Sequence, residues 1–234
     1  MNGIKNIEGN VISRIYNNNE IKERLQTYTA PYRELMSYYR CAMMEVTTKF
    51  NVLDEELSMQ YDRNPIETIK TRLKSPESIM DKLSRRNLPI SAESIEKNLN
   101  DIAGVRVICA YISDIYMLRD ALLRQDDITL LQEKDYIKNP KPNGYRSLHL
   151  IVEIPIFIMP EKKFMRVEVQ FRTIAMDFWA SLEHKLKYKK DIKHDVEQIS
   201  EELRECAEEI SQLDMKMQSI HRKIYGTDGE AENK

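Results

Sequence analysis

Between Arg166 and Arg172 polar and apolar side chains alternate without a break. Arg166, Glu168, Gln170 and Arg172 fall on one side, Val167, Val169 and Phe171 on the other. A period of two belongs to an extended strand. The segment therefore lies in a sheet with one face on a core and the other carrying charge. The stretch 145–153 repeats the pattern, with Tyr145, Ser147, His149 and Glu153 opposite Leu148, Leu150 and Val152. Lys70, Arg72 and Lys74 alternate in the same way with Ile69, Thr71 and Leu73. Val105–Cys109 is apolar on both faces apart from Arg106, which reads as an interior strand, and 128–136 supplies another. The expectation is an α+β protein: a mixed sheet of about five strands, flanked by helices.

Around these strands the period changes to that of a helix. Asn17–Asn18–Asn19 reads as a loop, and a long helix is expected from Pro31, proline suiting a first turn. Tyr39, Met43, Val46, Phe50, Leu53 and Leu57 form one stripe along it, suited to the protein's own core. Asn64–Pro65 ends it. Ser75–Pro76 starts a second helix, with Ile79, Leu83 and Met80 inward and Ser78, Lys82, Arg85 and Arg86 outward. A short helix follows over 91–99. Ser113 is placed as the cap of a helix running to Leu123, and Thr173 as the opening of one that carries Met176, Phe178, Trp179, Leu182 and Leu186. His184 on that helix reads as a surface or packing residue rather than a ligand.

The last helix has a heptad seam: Ile192, Val196, Ile199, Leu203, Cys206, Ile210, Leu213, Met217, Ile220 and Ile224. The 39–57 stripe is one possible partner within the chain. The narrowness of the seam, hemmed in by Glu201, Glu202, Glu205, Glu208 and Glu209, favours pairing between chains. The organisation expected is one domain, with N-terminal helices over 1–61, a core over 62–190, an oligomerisation helix over 191–225 and a disordered tail from 226.

A formal net charge of −2 gives no bulk attraction to nucleic acid, so none is required as a partner. Cys41, Cys109 and Cys206 are too scattered for a zinc or disulfide framework. With no apolar leader at its start and no long apolar run, the chain is expected in the cytoplasm, away from membranes.

Charge is concentrated locally. Residues 70–86 hold six Lys/Arg against two Asp/Glu, where a cationic strand meets a helix start, a place that attracts anions. Asp101 stands at the entrance of the 105–109 strand, and Glu168 is on the polar face of 166–172. The loop Asn139–Pro140–Lys141–Pro142–Asn143–Gly144 offers a cation, an amide and then the exposed ring of Tyr145, with His149 beyond. It is either a rigid connector or a ligand site. Two carboxylates among many cations suit Mg²⁺-dependent phosphoryl or nucleotidyl transfer. A non-catalytic nucleotide- or RNA-binding regulator, and a nucleotidyltransferase releasing pyrophosphate, stand as alternatives.

Four motifs in order resemble the RelA/SpoT-type alarmone synthetases: Arg72-x-Lys74 with Ser78, Lys82 and Arg85; Asp101–Ile102–Ala103–Gly104–Val105–Arg106; Asn143–Gly144–Tyr145–Arg146–Ser147–Leu148–His149; and Glu168–Val169–Gln170–Phe171–Arg172–Thr173. Phe171 departs from the isoleucine of many members. Residues 140–143 and 178–185 look closer to the RelP branch than to RelQ. The chain is similar in scope to a small, stand-alone synthetase without a hydrolase domain. The resemblance implies a nucleotidyltransferase-like synthetase fold that moves the β,γ-pyrophosphate of ATP to the 3′-OH of GTP or GDP, in the stringent response, and a homotetramer. It implies Mg²⁺ on Asp101 and Glu168, the latter as ligand or base. For ATP it implies Arg72 and Arg106 around adenine, with Lys74, Ser78, Lys82 and Arg85 in the phosphate-binding segment. For the acceptor it implies Tyr145 stacked on guanine among Lys141, Asn143, His149 and Gln170.

Overall fold

The computed structural model describes residues 19–61, 63–188 and 196–226. The readings made on Asn17, Asn18, Ile192 and the tail beyond Gly226 lie outside them. The described elements run α1 (Asn19–Tyr61), β1 (Ile66–Leu73), α2 (Pro76–Arg85), α3 (Ala92–Asn98), β2 (Ala103–Cys109), α4 (Ile112–Leu123), β3 (Thr129–Asp135), β4 (Leu148–Ile158), β5 (Glu161–Thr173), α5 (Ile174–Tyr188) and α6 (Val196–Tyr225). One five-stranded sheet has the order β1-β2-β5-β4-β3. The β2–β5 pair is parallel and the other three are antiparallel, so the sheet is mixed as expected. The chain forms two compact units, 19–38 with 76–99, and 39–75 with 100–226. In the smaller unit Ile79, Leu83, Ile95 and Leu99 are buried, and Ser91 caps α3 by accepting from the Ser94 backbone N–H.

In the larger unit the alternation places the core. Val105, Val107, Val167, Val169, Phe171, Leu148, Leu150 and Val152 are all buried on one face of the sheet. Burying each such side chain contributes roughly 1.5–3 kcal/mol. The α1 stripe from Tyr39 to Leu57 is buried in full, and the Phe50 ring meets Phe171 edge-on at 5.5 Å. The stripe is thus core of this unit. The aromatic at 171 also has a reason, since it supplies the edge contact to Phe50.

Several boundaries differ from the sequence reading. The long helix starts at Asn19, so Pro31 lies inside it. A proline deletes one backbone donor, which a helix of 43 residues can absorb. Tyr111, not Ser113, is the N-cap of α4; the Asp114 carboxylate accepts from the Tyr111 N–H at 3.2 Å, and the Ser113 N–H donates to Gln218 on α6 at 3.0 Å. The 145–153 strand begins only at Leu148. Before it Ser147 is buried, its hydroxyl donating to the Phe171 carbonyl at 2.9 Å instead of facing the open side. Met80 is exposed rather than inward.

The heptad seam divides in two. Leu203 and Ile210 turn inward and pack on Trp179, Ala180 and Ala207. Ala207, Asp214, Gln218 and His221 share this inner side, all buried. Cys206 is exposed, and Leu213 (58%), Met217 (49%), Ile220 (41%) and Ile224 (66%) remain bare beside it. Gln218 caps α4, and Asp214 accepts from the Thr173 hydroxyl at 2.6 Å, where α5 begins. Polar groups have taken the inner side because α6 closes the starts of two other helices.

Candidate active site

Strand register builds the site before any loop is considered. One row across the polar face reads Lys70, Arg106, Gln170, His149, Lys134 from β1 to β3. The next reads Arg72, Gly104, Glu168, Ile151, Gln132. Gly104 has no side chain, so nothing fills the floor between Arg72 and Glu168.

Two cavities open on this face. The larger, about 620 Å³, is lined among others by Arg72, Lys74, Asp101, Arg106, Tyr145 and Glu168. The smaller, about 200 Å³, is lined by Gln132, Lys134, Tyr136, Lys141, His149, Ile151 and Glu168. Glu168 is in both walls. Lys70, Gln170, Arg172, Glu183 and His184 also border the larger one, so His184 is at the helix surface, as expected, but facing this space.

A chain of hydrogen bonds joins the cavities. The Arg172 Nη2 donates to the Tyr145 hydroxyl at 2.8 Å, which contacts His149 Nε2 at 2.8 Å; His149 Nδ1 then reaches Glu168 Oε1 at 3.3 Å. Gln170 Nε2 donates to the other Glu168 oxygen at 2.9 Å. A guanidinium only donates, so the Tyr145 oxygen accepts from Arg172 and offers its proton to His149 Nε2. Assigned this way, the imidazole proton sits on Nδ1, facing Glu168. Burial pushes the Glu168 carboxyl up, but the hydrogen bond from His149, the charge that ring carries when protonated, and the Gln170 amide outweigh it; Asp101, close enough to repel, opposes them. The net result lies below the ordinary value. Glu168 is thus an ionised acceptor, fixed by two donors.

Asp101 is held by Lys74 Nζ at 3.0 Å. Asp101 and Glu168 border one cavity and feel each other's charge. No cluster of three or more metal-ligating side chains exists among the described residues. Mg²⁺ commonly takes one or two carboxylates and completes its shell with phosphates and water. The pair fits that ion.

The loop is a site wall rather than a plain connector. Lys141 Nζ lies 4.6 Å from the Tyr136 ring centroid and 4.7 Å from that of Tyr145. Asn143 donates to Glu183 at 3.1 Å and accepts from the Tyr145 N–H at 3.3 Å. Tyr145 is half-buried rather than exposed, because it packs against the Trp179–Ala180–Ala207 cluster. Ser78, Lys82 and Arg85 belong to α2 in the smaller unit, where their spacing puts them on one side of that helix.

Sequence reasoning missed two residues. Tyr136 stands edge-on to His149 at 5.3 Å; it follows the last strand residue, Asp135, with no pattern to mark it. Asp177 in the first turn of α5 is buried and holds three cations, Lys70 at 2.9 Å, Arg106 at 3.2 Å and Arg172 at 3.0 Å. Burial would raise its carboxyl, but Lys70, Arg106 and Arg172 hold it below the ordinary value. The Arg106 guanidinium is lowered by burial and then by Arg172, with Asp177 opposing. An acidic residue at a helix start usually reads as a dipole partner, which hides a role of this kind.

Comparison with known proteins agrees with this geometry. Residues 71–193 match the family described as the region found in RelA / SpoT proteins. The chain is 43% identical over 201 residues to GTP pyrophosphokinase YwaC of Bacillus subtilis, covering 86% of this chain and 95% of that protein. To GTP pyrophosphokinase YjbM of the same organism it is 33% identical over 199 residues, covering 85% and 89%. The crystal structure of small alarmone synthetase 2 from B. subtilis superposes with a TM-score of 0.74 at 43% identity, covering 82% of this chain and 98% of that one. That of small alarmone synthetase 1 bound to its product pppGpp gives 0.75 at 34% identity, covering 82% and 97%.

Proposed function

Since the chain belongs to the RelA/SpoT family, we propose that it is a GTP pyrophosphokinase moving the β,γ-pyrophosphate of ATP to the 3′-OH of GTP or GDP. The observation that carries this reading is the presence of Glu168 in the walls of both cavities. ATP occupies the larger one, adenine between the flat guanidinium groups of Arg72 and Arg106, phosphates near Lys74. The guanosine nucleotide enters the smaller one beside Lys141 and His149 and reaches its border with the larger one, its base on Tyr145, with Asn143 and Gln170 nearby.

Asp101 and Glu168 would hold Mg²⁺, which when bound neutralises charge on the transferring phosphates. Glu168 accepts the proton of the 3′-OH, His149 and Gln170 keeping its carboxylate aimed. The freed oxygen bonds to the β-phosphorus, the bond from that phosphorus to the α–β bridging oxygen breaks, and AMP leaves with the electron pair. Positioning and charge neutralisation supply most of the acceleration.

The bare outer side of α6 supports a homotetramer in which Leu213, Met217, Ile220 and Ile224 meet another copy. No described helix is long and apolar enough to cross a membrane. The setting proposed is the cytoplasm, during the stringent response. The test is a product assay with ATP, GTP and Mg²⁺. AMP and a guanosine pentaphosphate are expected in equal amounts. Pyrophosphate release instead would mark a nucleotidyltransferase, and no turnover a binding protein.

A further inference from the structure

The acceptor loop rests on α6 with little spare room, a cavity of about 10 Å³ lined by Gly144, Arg146 and Ala207. Gly144 has φ +84°, and a Cβ built there would lie 2.5 Å from the Ala207 Cβ. Arg146 Nη1 donates both to the Gly144 carbonyl at 3.2 Å and to the Ala207 carbonyl at 3.3 Å. One guanidinium thus ties the loop backbone to the helix backbone. One turn earlier on α6, the Leu203 carbonyl accepts from Trp179 Nε1 at 2.9 Å. Tyr145 packs on the cluster these residues form. Leu213, Met217, Ile220 and Ile224 form a bare stripe that flanks this side of α6.

We infer that Ala207 and Arg146 are positioning residues for the acceptor nucleotide: α6 is the seat that holds Lys141 and Tyr145 in their binding geometry, so α6 sets affinity for the guanosine nucleotide far more than for ATP, whose cavity Tyr145 only borders. Neither residue borders either nucleotide cavity. Their influence passes through Gly144, next in the chain to Tyr145. A side chain larger than alanine at 207 would press on the loop at Gly144, because the cavity beside it holds only about 10 Å³, and interiors this tight do not deform smoothly. Removing the Arg146 guanidinium frees the loop without adding volume. The inference rests on the acceptor role assigned above to the loop.

The test uses the full chain with Ala207→Val and Arg146→Met. Each is expected to raise KM for GTP about tenfold, with KM for ATP within about twofold. Calorimetric titration with GTP alone should show the same weakening without turnover. If Ala207→Val loses its helical circular dichroism, Arg146→Met decides, since it leaves the packing volume in place. KM values for ATP and GTP that rise together, or GTP binding that is unchanged in Arg146→Met, overturn the inference. Wild-type protein that releases no AMP, yet binds GTP more tightly than both variants, overturns the acceptor chemistry and leaves the seat intact.

Discussion

The two faces of the sheet are made by the same strands and are held together in opposite ways. On the apolar face Phe171, Val169 and Leu150 are fully buried and work by filling space. Volume matters there more than chemistry, so isoleucine and phenylalanine can both serve at 171. On the polar face one residue away, Gln170 and Glu168 work through particular partners at particular distances. A strand residue on the first face is replaceable by size, and one on the second by almost nothing.

That contrast can be broken by substitution. The largest effect is expected from Glu168→Gln or Asp101→Asn, which should cut AMP release by roughly 10²–10⁴-fold while leaving the protein folded by circular dichroism. Substantial turnover by either variant removes that carboxylate from the chemistry. Phe171→Ala should do the reverse, losing about 3–5 kcal/mol in urea denaturation with near-normal turnover by the protein that stays folded. Retained stability there would mean that the Phe50–Phe171 contact is dispensable.

Smaller effects sharpen the comparison. Leu213→Glu combined with Ile220→Glu should lower the assembled mass in light scattering before it alters circular dichroism, because both side chains are exposed in a single chain. A wild-type monomer at micromolar concentration would end the assembly proposal. The mildest effect is in pH. Glu168 and Asp177 are both held below their ordinary values. A carboxyl depressed on folding stabilises the fold fully above its unfolded value, and that contribution is lost as pH falls through the folded one. The urea midpoint should therefore hold steady down to about pH 5 and decline below about pH 4. In Asp177→Asn, the decline should be shallower. An equally steep decline would show that Asp177 contributes nothing through its charge.

Legibility followed the same division. Period-two patterns disclosed three of the five strands and their two faces, because alternation records burial directly, and the apolar run of 105–109 marked an interior one. The residues of the site that belong to strands, from Arg72 to Gln170, came with them. Tyr136 and Asp177 were hidden because each owes its role to partners far along the chain, Tyr136 to His149 and Asp177 to Lys70, with no local rhythm. The α6 seam misled for a related reason. Leu203 and Ile210 share a heptad with Leu213 and Ile220, but helix rotation sends the first pair inward and leaves the second outside. Pro31 was read as a beginning because a proline inside a helix is ordinarily too costly.

The one parallel pairing, β2 with β5, runs between the two halves of the site. On one side is the β1–β2 pair, drawn together at its base by the Lys74 N–H to Ile102 carbonyl bond at 2.8 Å. On the other is the β3–β4–β5 meander, antiparallel throughout, with a twelve-residue loop between β3 and β4 and a two-residue turn between β4 and β5. The meander can assemble from neighbouring sequence and the β1–β2 pair closes over residues 74–102, whereas joining Gly104 to Glu168 requires the longest closure of the four strand pairings, the slow kind of step in folding. During refolding, strand content should accordingly return before enzymatic activity does. Val105 and Val107 amides should gain protection from exchange together with turnover, as the last join in the sheet completes the catalytic centre.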